Sequence, residues 1–165
     1  MNSESGKKMI TKKILFCTDF SENSWPAREC AISYASVFGA SLSIVHVINS
    51  SQIGYPSLEV EIPSTLKSAL QGIQESSQKA LELIAAECLK RVKEVDIYHR
   101  IGNPAHEIVR LADEESIDLV VTGTHGWTGI KHLILGSTAE NIVRKSNCPV
   151  LTVRSSSSLL QGEPE

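Results

Sequence analysis

The chain has 165 residues, 41% of them hydrophobic, which is enough material for one globular domain with a buried core. Its formal net charge is -3, so it lacks the overall basic character of nucleic-acid-binding proteins. No apolar run approaches the roughly 18 residues of a membrane helix, and the polar start Met1–Lys8 is unlike a signal peptide. We therefore expect a cytoplasmic protein that binds neither nucleic acid nor membranes.

Short apolar runs alternate with helical patterns along the chain. The runs predict five buried strands, at residues 12–18, 41–48, 95–101, 117–122 and 149–154. The helical patterns lie between them and begin near Ser24, Leu66, Asn103 and Ser137. This alternation predicts an α/β fold, a single doubly wound five-stranded parallel sheet with right-handed crossovers. The domain should span residues 12–154, with flexible polar ends at residues 1–11 and 155–165.

Two of the predicted helices carry clear end signals. Pro26 suits the first turn of the first helix, and Gly39 suits the residue that closes it. Asn103 is the predicted cap of the third helix, with Pro104 at its first position. Both helices should therefore begin and end close to these residues.

The second helix, residues 66–92, has the longest apolar stripe. Its members are Leu66, Ala69, Leu70, Ile73, Ala80, Leu81, Ile84, Cys88 and Val92, and we expect this face to be buried. Residues 49–64 before it include Gly54, Pro56 and Pro63 and fit neither the helical nor the strand period. They predict a long surface loop.

The cysteines and histidines do not predict a metal site. The four cysteines lie far apart without a CxxC motif and are expected to be buried reduced thiols, at positions 17, 30, 88 and 148. His46 lies within the second strand and should be a packed, hydrogen-bonded side chain. His125 and His132 lie in a glycine-rich stretch that has no neighbouring carboxylate pair or third ligand.

The stretch 122–144 has the composition of a phosphate-binding loop. It follows the fourth strand, and Gly123 and Gly126 allow close backbone approach because they have no Cβ. Ser137 is a predicted N-cap, and Glu140 completes a capping box that begins the helix at Gly136–Ser137. The first amides of that helix would point at an anion held in the loop.

The glycine spacing matches neither GxxxxGK[ST] nor GxGxxG. Gly123, two residues, Gly126, nine residues, then Gly136 and Ser137 resemble the ATP-binding signature of the universal stress protein family. The resemblance covers Lys12 to Arg154. In a plainer interpretation the glycines only shape a turn, and Ser137 is only a helix cap.

The resemblance implies a Rossmann-like fold of the adenine nucleotide alpha hydrolase type, with strand order 3-2-1-4-5 and ATP, together with Mg²⁺, at the carboxyl ends of strands one and four. Asp19 would lie beside the nucleoside, and the backbone of Val47 would read the adenine edge. Alternatively, Asp19 is a turn residue and Val47 simply packs in the core. The implied nucleotide-binding residues are Thr18, Asp19, Val47, Thr122, Gly123, Gly126, Gly136, Ser137, Thr138 and Ala139.

Two of these positions depart from the family pattern. Thr122 stands where a methionine is common, and Ala139 stands where a second hydroxyl often helps to hold phosphate. Loss of one hydroxyl contact should weaken binding by about 0.5–1.5 kcal/mol without abolishing it.

Three functions remain open. The first is a regulatory module in which ATP orders the glycine loop for a partner to recognise. The second is a slow ATP hydrolase using Ser137 and Mg²⁺, for which His125 is the nearby candidate to position water, although no residue is assigned a catalytic role. The third is a nucleotide-free interaction protein. The resemblance also implies a homodimer through the last strand, residues 150–153.

Overall fold

The computed structural model describes residues 11–53, 64–124 and 135–155. Five strands form one sheet, β1 (Lys13–Cys17), β2 (Ser41–Asn49), β3 (Val95–Gly102), β4 (Leu119–Gly123) and β5 (Val150–Val153). Within these ranges, four α-helices connect the strands, α1 (Trp25–Phe38), α2 (Ser64–Cys88), α3 (Pro104–Glu114) and α4 (Ser137–Lys145). Every strand pair is parallel and the order is β3-β2-β1-β4-β5, so the predicted fold class and strand order are confirmed.

The strands β1, β2 and β4 are mostly buried, with helices over both faces of the sheet, which explains why these strands are nearly continuous apolar runs. Ile14 and Phe16 of β1 belong to the core cluster that contains residues of α1 and α2. Leu15 and Cys17 alternate with them and belong to the cluster that contains residues of α3 and α4. The central strand β1 is therefore fixed from both sides, and so is the point where it ends.

The predicted ends of α1 and α3 are confirmed. Gly39 closes α1 with φ 63, the left-handed conformation that glycine adopts at low cost. Asn103 caps α3 by accepting a 3.1 Å hydrogen bond from the backbone amide of His106, and Pro104 occupies the first helical position. These ends set how far each helix extends along the sheet.

The prediction that the whole apolar face of α2 is buried is wrong for its first half. Leu81 and Cys88 are fully buried, whereas Ala69 is exposed and Ile73 is 43% exposed. A 25-residue helix is about 37 Å long, while an eight-residue strand such as β3 is about 26 Å long, so α2 extends past the sheet. A cavity of about 570 Å³ separates this first half from Phe20.

The cysteines are free thiols, as predicted. Cys17 and Cys88 are buried, and Cys30 and Cys148 are half-buried. Burial raises the pKa of Cys88 to about 11 and raises the pKa of Cys17, Cys30 and Cys148 as well. All four should stay protonated and poorly nucleophilic near neutral pH.

Among the described residues, no helix is long and apolar enough to cross a membrane. The predicted flexible ends and most of the predicted loop 49–64 lie outside the described residues, apart from a short 3-10 turn at Ser50–Ile53.

Candidate functional site

The candidate site lies where β1 and β4 end side by side. Cys17 of β1 is in register with Thr122 of β4, so Thr18 and Gly123 follow at the same edge of the sheet. The order of the strands reverses between these two, since β2 and β3 lie on one side and β5 on the other. In open parallel sheets this reversal point is where a crevice forms and ligands bind.

The turn after β1 is built from hydrogen bonds within it. Thr18 is buried, and its hydroxyl accepts a 3.0 Å bond from the Phe20 amide and lies 3.1 Å from the hydroxyl of Ser24. Asp19 Oδ1 accepts bonds from the amide of Ser21 at 3.0 Å and from its hydroxyl at 2.6 Å. The turn role of Asp19 that the sequence left open is therefore observed, and the carboxylate is held at the edge of the sheet.

Phe20 holds this turn in an unusual shape. Its φ is 63, a left-handed conformation that costs a residue with a side chain about 1–3 kcal/mol. Its ring packs against His46, with 4.1 Å between ring centroids. His46 Nδ1 donates a 2.9 Å hydrogen bond to the carbonyl of Thr18, since a carbonyl can only accept. The prediction that His46 is packed and hydrogen-bonded is confirmed.

The backbone N–H and C=O of Val47 face the side of β2 on which β1 has already ended. The β1–β2 ladder ends with the bond from the Thr18 amide to the Val45 carbonyl. Successive residues of a strand direct their peptide groups to opposite neighbours, so Val47 faces the same side as Val45. Among the described residues, no backbone group continues the ladder to Val47. Its side chain packs in the core beside Val45, as the plainer prediction held.

A backbone hydrogen bond joins the two described ends of the glycine-rich stretch, Thr124 and Gly136. The Thr124 amide donates to the carbonyl of Val153 at 2.9 Å, and the Gly136 amide donates to the carbonyl of Thr124 at 2.7 Å. Residues 123 and 136 are thereby brought together although 13 positions separate them in the sequence. Gly126 lies outside the described residues, as do His125, Trp127 and His132.

The start of α4 differs from the predicted capping box. Gly136, not Ser137, is the N-cap, with φ -69 and ψ 152, and its carbonyl accepts the Glu140 amide at 2.9 Å. Glu140 pairs instead with Arg144 at 2.7 Å. Residue preferences alone predict Ser137 as the N-cap, because serine caps helices better than glycine. The bond from the Gly136 amide to the Thr124 carbonyl instead fixes the N-cap one residue earlier.

A glycine N-cap has no side chain to satisfy the first amides of α4, and no side-chain cap bond is present. Ser137 and Thr138 are exposed at this helix end, and Ala139 is buried. The backbone of Gly136 lies in a region open to all residues, so its conformation does not require a glycine. A glycine at this position adds no side chain next to these amides.

The residues present fit a nucleotide better than a metal ion alone. The described part of the chain has no group of three or more His, Cys, Asp or Glu side chains that could hold a metal. Asp19 can accept hydroxyl hydrogens, the Val47 peptide can pair with a base edge, and the α4 amides can bind phosphate oxygens. A Mg²⁺ ion carried by a nucleotide would be held mainly through the phosphates and would need no dedicated set of protein ligands.

The site should make the fold sensitive to mild acid. Burial lowers the pKa of both His46 and His99 from 6.5, although the Thr18 carbonyl and the Asp19 carboxylate partly oppose this at His46, and the His46 ring adds to it at His99. His99 Nε2 is buried without a partner in the described chain. Because the folded-state pKa values are lowered, the stabilisation is complete above pH 6.5 and is lost as pH falls through the folded values.

We therefore expect the free energy of unfolding, measured with urea, to be lower at pH 5.5 than at pH 7.5. The double variant His46→Asn, His99→Asn should lose most of this difference. Equal stability of the wild type at the two pH values would contradict the assignment of both histidines as neutral, half-buried groups.

The sequence predicted a packed, hydrogen-bonded His46 but did not predict that its partner lies in the turn after β1. A histidine at the end of an otherwise apolar strand was the available signal, but its partner Thr18 is 28 residues away. Ser21 and Thr124 were missed for a similar reason, because their roles depend on where the strands end.

Comparison with known sequences identifies the family. The universal stress protein family model matches residues 11–154. Universal stress protein MJ0577 of Methanocaldococcus jannaschii is 30% identical over an alignment of 163 residues. The match covers 88% of this chain and 96% of the relative. Universal stress protein YxiE of Bacillus subtilis is 31% identical over 145 residues, which cover 86% of this chain and 98% of the relative.

Solved structures agree with this result. The structure of MJ0577 has a TM-score of 0.77 at 32% identity and covers 87% of this chain and 96% of its own. A universal stress protein solved in complex with cAMP has a TM-score of 0.60 at 26% identity and covers 89% of this chain and 99% of its own. The chain therefore belongs to the universal stress protein family.

Proposed function

We propose that this universal stress protein binds ATP at the carboxyl ends of β1 and β4 and acts as a nucleotide-dependent regulatory module. The observation that carries the proposal is the bond from the Gly136 amide to the Thr124 carbonyl. It brings the uncapped start of α4 to the end of β4, next to the turn that holds Asp19. The cAMP complex of a relative supports an adenine nucleotide as the ligand class.

The nucleoside would bind on the β1–β2 side. Thr18 follows the last residue of β1 there, and Asp19 has a carboxylate that can accept hydrogen bonds from ribose hydroxyls in addition to its bonds from Ser21. The Val47 peptide offers one donor and one acceptor on the open edge, which suits the N1 acceptor and the N6 donor of adenine. This arrangement favours adenine over a base with the opposite donor and acceptor order.

The phosphates would bind on the β4–α4 side. The amides of Ser137, Thr138 and Ala139 lack intrahelical partners, and the helix dipole adds to their attraction for an anion. Each bond to a charged oxygen contributes about 1.5–3 kcal/mol, so a few of them give nucleotide-scale affinity. Thr122, Gly123, Gly126 and Gly136 complete the proposed phosphate side, with Mg²⁺ bound mainly through the phosphates.

A regulatory role is favoured over hydrolysis by the chemistry of the described residues. The Asp19 carboxylate accepts two hydrogen bonds from Ser21. Among the described residues, neither a Walker-type lysine nor a dedicated base lies at this edge of the sheet. Slow hydrolysis with His125 positioning water is the second candidate. ATP turnover that His125→Ala abolishes while ATP binding survives would favour the enzyme.

Calorimetric titration with ATP, with and without Mg²⁺, tests the proposal directly. We expect one site per chain and a dissociation constant in the micromolar range, with AMP weaker than ATP because it lacks two phosphates. If ATP at millimolar concentration gives no heat of binding and does not compete with any other nucleotide, the remaining function would be that of a nucleotide-free interaction protein.

We also propose a homodimer through β5. This strand is at the edge of the sheet, and a bare apolar edge pairs readily with another strand. The carbonyls of Pro149 and Val153 face β4, so the alternating peptide group of Thr152 faces outward.

Thr152→Pro should therefore convert the dimer to a monomer, because it removes an outward N–H without removing a bond to β4. Sedimentation at micromolar concentration provides the measurement, and Thr152→Val, which keeps the amide, is the matched control. A wild-type chain that sediments as a monomer under these conditions would contradict the proposal.

A cytoplasmic location remains part of the proposal. Four unpaired cysteines are compatible with a reducing compartment, where thiols are kept free.

A further inference from the structure

We propose that His46 is a positioning residue for nucleotide recognition: by occupying the Thr18 carbonyl, it ends the β1–β2 ladder early and keeps the Val47 peptide available to the base. This inference rests on the proposed function, since it concerns the same nucleoside end of the site. His46 does not itself contact the ligand in this account.

The backbone bonds between β1 and β2 depart from a regular parallel ladder at Thr18. In a regular parallel pair, the Thr18 amide bonds to Val45 and the Thr18 carbonyl accepts the amide of Val47. The first of these bonds is present at 3.0 Å. The register nevertheless ends at Cys17 and Val45, and the Thr18 carbonyl accepts His46 Nδ1 at 2.9 Å instead.

The consequence is a free peptide group at a defined position. Val47 lies in β2 and remains in register with Arg100 of β3, so its backbone is held rigidly. On its other side β1 has ended, and the described residues offer no replacement for the lost ladder bond. A rigid, unpaired donor and acceptor at a sheet edge is suited to pairing with a base.

The same imidazole also fixes the turn that carries Asp19. The Phe20 ring packs against the His46 ring at a tilt of 31°, while the Phe20 amide donates to the Thr18 hydroxyl. Asp19 lies between these two anchored residues, and Ser21 holds its carboxylate. One side chain therefore sets the position of both groups proposed to contact the nucleoside.

The test compares ATP with inosine triphosphate, which reverses the donor and acceptor at the base edge and leaves the ribose and phosphates unchanged. The wild type should prefer ATP by about tenfold or more. His46→Leu keeps the apolar contact with Phe20 but frees the Thr18 carbonyl, so the Val47 amide can join the ladder. We expect this variant to lose at least about fivefold in ATP affinity while its affinity for inosine triphosphate stays unchanged, so that the preference falls to about twofold or less.

His46→Asn is the matched control, because its side-chain amide can place a donor near the Nδ1 position and should restore most of the preference. Inorganic tripolyphosphate, used as a competitor, should inhibit ATP binding to His46→Leu with the wild-type inhibition constant, because the phosphate side is untouched. If His46→Leu is folded but binds ATP and tripolyphosphate more weakly by the same factor, the positioning role would be overturned.

A measurement on the wild type alone covers the case in which His46→Leu does not fold. Nitrogen NMR should find the Nδ1–H form of His46, and without nucleotide the Val47 amide should exchange with solvent faster than that of Val45. A Val47 amide as protected as Val45, or a preference for ATP that survives in His46→Leu, would overturn the inference. If the wild type binds neither triphosphate, the proposed function fails first, independently of these exchange rates.

Discussion

Gly136→Val should reduce ATP affinity by at least about 100-fold while the protein stays folded. The new side chain would stand beside the uncapped amides of α4 and keep phosphate oxygens away from them. Losing two bonds to charged oxygens corresponds to about 3–6 kcal/mol. The backbone of Gly136 is already extended, so the expected cost to stability is only that of a poorer N-cap, about 1 kcal/mol or 2–4 °C in Tm.

Gly72→Val is the matched control for this prediction. Gly72 lies in the exposed first half of α2, and a Cβ built there meets no atom within 4 Å. Its replacement should leave ATP affinity unchanged in a calorimetric titration. Ser137→Ala, which keeps the amide and removes only a hydroxyl, should cost no more than about tenfold. Unchanged ATP binding by Gly136→Val would mean that the start of α4 is not where the phosphates bind.

Ile142→Ala should lower the free energy of unfolding by about 2–5 kcal/mol, the largest stability effect expected in the elements around the site. Ile142 is 0% exposed and packs with residues of α3 and β4 in the second core cluster. The substitution leaves a cavity beneath α4, the helix whose first amides form the proposed phosphate site. Urea unfolding monitored by circular dichroism provides the measurement.

Val143→Ala is the control on the neighbouring position of the same helix. Val143 is 48% exposed, so its truncation should change stability by less than about 0.5 kcal/mol. If ATP binds the folded state, ATP at 100 times its dissociation constant should add about 2.7 kcal/mol to either protein. Similar losses for Ile142→Ala and Val143→Ala would contradict the packing of α4 described above.

The sequence predicted the fold well because its signals are local. Apolar runs, Gly39 and Asn103 mark where strands and helices begin and end, and alternation of the two types indicates a parallel sheet. The strand order came from the family resemblance, since periodicity does not specify which strands are neighbours. The structure confirms both parts.

The errors came from contacts that lie far apart in the chain. Capping preference selected Ser137, but the bond between Gly136 and Thr124 decides where α4 begins. Helical periodicity predicted that Ile73 is buried, but it does not indicate that α2 is longer than the strands against which it packs. Sequence analysis also could not pair His46 with Thr18, because this contact depends on the register of β1 and β2.

The most direct test of the central claim is to denature freshly purified protein and identify any released nucleotide by chromatography and mass. We expect near-stoichiometric ATP from the wild type and little or none from Gly136→Val purified in the same way. Protein that releases no nucleotide, and that fails to take up ATP at millimolar concentration, would contradict the claim that this edge of the sheet is an ATP site.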